Sequence, residues 1–172
     1  MKNSINNLIL QSIANTWRVE LPQFSCVNIP EVPRITKGAN YLCDEYREKS
    51  KKYYFLTVDF TKIQGLFSIG VSISQSARKS IYPLGSLVNG ESPGVGSYGI
   101  WQFMARPSYT WAVLDPSAHF KTLLPGLAIP PFDWTNIWKP GIFSDDIQIN
   151  IEEAVRDVTR IIKRDVIPRL LL

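Results

Sequence analysis

YYFLTVDFTKIQGLFSIGVSIS, residues 53–74, nearly dictates its own fold. Tyr54, Leu56, Val58 and Phe60 fall on even positions, with Thr57 and Asp59 pointing the other way. After a turn at 62–65 the odd positions take over, and Phe67, Ile69, Val71 and Ile73 alternate with Ser68, Gly70, Ser72 and Ser74. A period of two on both arms predicts an antiparallel hairpin with one apolar and one polar face, packed on one side.

Working outward, Ile5, Leu8, Ile9, Ile13 and Trp17 recur at helical spacing behind Asn3 and Ser4, either of which suits a cap. Pro22, Pro30 and Pro33 forbid a long helix over 21–36. Short strands are predicted at 23–28 and 39–46. On the other side of the hairpin, residues 76–97 hold few apolar side chains and many turn formers, which predicts a long, mobile loop. A second hairpin is expected from strands at 98–104 and 109–114, followed by a short helix capped by Asp115 with Pro116 in its first turn. Residues 125–143 are irregular, with prolines interleaved among Phe132, Trp134, Trp138 and Phe143. The last element is a helix in which Ile151, Val155, Val158 and Ile162 share a face flanked by Ala154 and Ile161. Asn150 reads as its cap, Glu153 as the N3 partner of a capping box, and Pro168 as its end or kink.

These elements predict one α+β domain over residues 1–172. Its expected architecture is an antiparallel meander of about five strands packed by N- and C-terminal amphipathic helices. A chain of 172 residues with 45% apolar and 20% charged residues is long enough to bury a core without staples. Cys26 and Cys43 stand alone, which excludes a cysteine-built zinc site and suits two free thiols. The start of the chain reads as an amphipathic helix rather than a signal peptide, and no apolar run approaches the ~20 residues that span a bilayer. The expectation is a cytoplasmic protein with no membrane contact.

The net charge of +4 is uneven: residues 1–86 carry eleven Lys or Arg against six Asp or Glu, and the second half has a slight acidic excess. Arg47, Lys49, Lys51, Lys52 and Lys62, with Arg78 and Lys79, are the residues that would meet a phosphate backbone. Asp44, Glu45 and Glu48 dilute that field, so a solvated, pairing-resistant sheet edge accounts for the cluster more simply.

No motif carries catalysis. Residues 94–99 spell G-x-G-x-x-G, but a Pro/Ser-rich loop precedes them and a strand-like run, 100–104, follows, the reverse of what a dinucleotide site needs. His119 is the single histidine, and no nucleophile stands at workable spacing, so it is expected to be dispensable. Asp59, Glu45 and Asp44 offer only a weak basis for metal-assisted hydrolysis, and structural roles explain them better. Arg156, Arg160, Lys163 and Arg164 lie opposite the apolar stripe of the last helix, where acidic residues early and basic residues late suit the helix dipole.

What remains is the aromatic segment. Trp134 and Trp138, four apart behind Asp133, predict one helical turn with both rings on one side. The plain account is that this turn closes the core. The functional one is that Phe132, Trp134 and Trp138 anchor another protein, since tryptophan is enriched in binding hot spots. The reading is therefore a non-enzymatic protein-interaction domain or accessory subunit without cofactor or metal. A nucleic-acid-binding accessory protein is second, and a carboxylate or metal hydrolase third.

Overall fold

The structure, a computed structural model, describes residues 4–27, 38–43, 51–76, 87, 92–117, 126 and 133–170. The hairpin at its centre forms as the alternation requires. Strand β3 (Tyr53–Phe60) pairs antiparallel with β4 (Leu66–Ser74), Leu56 opposite Val71 and Val58 opposite Ile69. Gly65 closes the turn at φ +80, the left-handed region that side chains other than glycine rarely occupy. Leu56, Val58, Phe60, Phe67, Ile69, Val71 and Ile73 are all buried in one cluster.

Helix α1 (Ile5–Glu20) starts at Ser4, whose hydroxyl accepts the Asn7 N–H, and sinks Ile9, Ile13 and Trp17 into that cluster. Strands β1 (Phe24–Val27) and β2 (Ala39–Cys43) extend the sheet antiparallel from β3, with Cys43 buried and Cys26 exposed. The later strands, β5 (Gly96–Gly99), β6 (Thr110–Ala112) and β7 (Ile137–Trp138), complete seven among the described residues. Helix α3 (Ile147–Ile161) covers the core face beside α1. Trp17 reaches Thr159 and Glu20 pairs with Lys163, so the two helices run in the same direction.

The result is an α+β domain with a mixed, mostly antiparallel sheet rather than an antiparallel meander of five strands. Two differences produce it. Residues 98–104 are not one strand: the chain leaves β5 into a single helical turn, α2 (Ile100–Phe103), because burying Ile100 and Phe103 at i, i+3 suits a helix. The expected second hairpin is therefore absent. Strands β5 and β6 each pair with β4, β5 along its C-terminal half and β6 at Leu66 and Phe67. Strand β7 then joins β6 in parallel, Trp111 beside Trp138. Residues 94–95 lead into strand β5, which takes up the rest of the 94–99 motif, and only a single helical turn follows, so no helix of useful length faces a phosphate there.

The start of the last helix also differs. Asp146, not Asn150, is the cap, its carboxylate accepting the Gln148 N–H at 3.0 Å. Asn150 lies inside the first turn, and the capping box with Glu153 does not form. At the far end the helix widens into a π segment (Ile162–Val166) and resumes as α4 (Ile167–Leu170). Pro168 has no N–H to give residue 164 and would crowd its carbonyl, and the wider turn relieves both problems.

The second face of the hairpin is not simply solvated. Phe55, Thr57, Ser72 and Ser74 are buried, whereas Asp59, Ser68 and Gly70 are only half-buried. The polar hydroxyls inside are satisfied: Thr57 donates to Asn40 and Ser72 shares a hydrogen bond with Ser97.

Candidate functional site

The aromatic segment is built from the edge of the sheet outward. Asp133 caps no helix. Its carboxylate accepts both the backbone N–H and the hydroxyl of Thr135, which turns the chain and holds the Asp133 carboxyl below its ordinary pKa. The Ile137 N–H donates to the Trp134 carbonyl across that turn, and the Thr110 N–H donates to the Asn136 carbonyl. Ile137 and Trp138 then continue as strand β7, in place of the predicted helical turn. A β-branched residue followed by an aromatic suits a strand, and β6 offered an unpaired edge.

The two indoles part company as a consequence. Trp138 packs, half-buried, against the edge of the core cluster. Trp134 lies beyond the strand, its ring 6.0 Å from that of Phe143 and 4.8 Å from the Lys139 ammonium. Lys139 sits at a distance that suits a cation–π contact. Next to Phe143, Ile142 stands 89% exposed, the most exposed large hydrophobic side chain among the described residues. Phe132 lies outside the described residues.

This apolar projection is braced from beneath. Pro140 is buried. The buried Asn150 amide accepts the Ser144 N–H at 2.9 Å and donates to the Ser144 and Val113 carbonyls at 3.0 and 3.3 Å. One side chain thus ties Ser144 to Val113, the residue just past β6. Asp133, Asp145 and Asp146 are exposed along the same stretch of chain and give it an acidic border.

The basic residues singled out from the sequence are dispersed. Lys51 and Lys52 precede β3, and Lys62 lies in the turn at its other end, which separates them by about 25 Å at the usual strand rise. Arg47, Lys49, Arg78 and Lys79 lie outside the described residues, as do Asp44, Glu45 and His119. Between α1 and α3 runs a groove of about 1140 Å³ that includes Arg156 and Arg160. Arg160 pairs with Asp157, Lys163 with Glu20 and Arg164 with Asp165, so most of its positive charge is already answered. Among the described residues no group of His, Cys, Asp or Glu is placed to hold a metal ion, and no helix is long and apolar enough to cross a membrane.

Comparison with protein families, with curated proteins and with solved structures finds no match to this chain.

Sequence reasoning missed Ile142 and Asn150. Ile142 breaks the apolar pattern of the last helix by standing before it, and the Gly141-Ile142 pair in a loop was the available signal. Asn150 was read as a cap, because an asparagine just ahead of an apolar helical stripe is the usual cap signature.

Proposed function

We propose that the chain is a non-enzymatic interaction domain that docks another protein through its aromatic edge. Trp134 is the anchor, Phe143 is its ring neighbour with Ile142 adjacent to Phe143 in the chain, Trp138 backs the edge from the sheet, and Phe132 belongs to the same segment. One observation carries this reading: the fold holds Ile142 out in water next to Phe143, whose ring lies 6.0 Å from that of Trp134, just ahead of a Ser144 held by Asn150. Apolar side chains fixed in solvent on a rigid turn bind with little ordering entropy to lose. The acidic border of Asp133, Asp145 and Asp146 favours a partner surface with basic residues around an apolar depression.

A nucleic-acid-binding role is the second reading. It has less support, because the described lysines stand at opposite ends of β3 and the cations of the α1–α3 groove are mostly paired.

The test is site-specific photocrosslinking in the native host, with a photoreactive residue at position 142. A discrete protein adduct at 142, absent from the same label at exposed Glu152, supports the reading. Equal labelling at both positions counts against it.

A further inference from the structure

Helix α1 turns an uncharged face outward. From Ile5 to Trp17 no residue is charged, in a chain of which 20% is, and Asn7, Gln11 and Asn15 are exposed. An outward helix face ordinarily carries charge, and depletion of charge marks the core of an interface. Leu8, Ser12 and Asn15 fall in one row at helical spacing, and Val19, 71% exposed, continues it. The side-chain amides of Gln11 and Asn15 make no hydrogen bond among the described residues.

This face is one wall of the groove between α1 and α3, which shares no lining residue with 133–143. The other wall is charged, and its charge is polarised along the helix. Exposed Asp145, Asp146 and Glu152 come first, and exposed Arg156, Arg160, Lys163 and Arg164 follow. The helix dipole accounts for charge in the first and last turns, not for Glu152 and Arg156 near the middle. Those two stand four apart in the order that favours an ion pair, yet they do not pair. Glu152 accepts the Gln148 amide at 3.0 Å, which leaves its carboxylate with spare acceptor capacity. Arg156 has no ion pair or hydrogen bond among the described residues, unlike Arg160, Lys163 and Arg164.

A face built this way complements itself. A two-fold axis across the groove lays the acidic half of one α3 against the basic half of another, and Arg156 of each copy meets Glu152 of the other. The uncharged faces of α1 meet in the same contact. Amides both donate and accept, so Gln11 and Asn15 find partners in the same groups of the second copy. A uniformly acidic or uniformly basic partner would satisfy one half of α3 and be repelled by the other. The area suffices for a weak dimer. A helix of 16 residues is about 24 Å long, and two side by side span about 20 Å. The footprint is about 500 Å² per copy, about 1,000 Å² in all, the lower bound for a specific interface.

We propose that two copies of this chain pair through α1 and α3 about a two-fold axis, with Arg156 of each on Glu152 of the other. The experiment is sedimentation equilibrium of the full chain at low and high salt. A dimer is expected with a Kd on the order of micromolar, weakening as salt rises. Arg156→Glu and Glu152→Arg, both at exposed positions, should each weaken self-association at least tenfold, because each sets like charges opposite one another across the axis. An equimolar mixture of these two variants should dimerise again, since every facing pair then has opposite signs. If either variant fails to fold, Asn15→Arg, which puts a charge into the α1 face, should weaken self-association severalfold. A parent chain that stays monomeric into the high micromolar range overturns the proposal. So does a dimer that folded Arg156→Glu or Asn15→Arg leaves intact, or a mixture of the two charge-reversed variants that stays monomeric.

Discussion

Trp111 and Trp134 are both tryptophans near the same edge of the sheet, and the fold treats them in opposite ways. Trp111 is wholly buried: it stacks on Phe67 at 5.8 Å and donates its indole N–H to Asp157 at 3.0 Å. Trp17 is its counterpart on α1, with Tyr41 edge-on at 4.7 Å and Thr159 accepting its N–H. Each of these indoles has its apolar body in the core and its one polar atom answered, which is the condition for burying tryptophan. Trp134 instead keeps part of its surface in water, beside a lysine and next to a phenylalanine that precedes the helix. The same side chain that completes the interior at one position is only half-buried at the other. Exposure, not the count of aromatics, separates a candidate binding residue from a core residue here.

Mutations sharpen the contrast in order of size. Trp111→Ala and Phe67→Ala should each cost about 3–5 kcal/mol in chemical denaturation, because they empty a packed interior. Losses under 1 kcal/mol would mean that the stacked pair is not the core. Asn150→Ala should cost about 1–3 kcal/mol, since it removes the partner of the Ser144 N–H and of two carbonyls at once. Its exchange signature is local: faster amide hydrogen exchange at Ser144 than the global loss accounts for. Trp134→Ala should cost less than about 1 kcal/mol of folding stability, and a loss as large as that of Trp111→Ala would make it a core residue. Ile142→Ser should lie within about 0.5 kcal/mol of the parent, because almost none of its surface is buried.

The hairpin, α1 and the stripe of α3 were legible in the sequence because each writes a long, unbroken period. Val71 and Ile73 alternate, and Ile151, Val155 and Val158 recur helically, whatever surrounds them. Residues 98–104 were not legible, although the strand expected at 109–114 forms as β6. Tyr98, Ile100 and Trp101 satisfy a strand pattern locally, and only burying Ile100 with Phe103 turns the chain into α2. Strand β7 is two residues long and exists because β6 lies beside it, so no local pattern announces it. The aromatic richness around Trp134 was visible as composition, but its separation from Trp138 came from that same long-range pairing. Asp146 and Asn150 both carry cap chemistry, and the choice between them rested on a contact with Val113, 37 residues away in the chain.

The central claim is that the aromatic edge recognises a protein, and affinity of the crosslinked partner for Trp134→Ala tests it most directly. The account predicts an unchanged Tm together with a loss of binding of at least about 2 kcal/mol, near thirtyfold in Kd. Binding within twofold of the parent by a normally folded Trp134→Ala protein would contradict it.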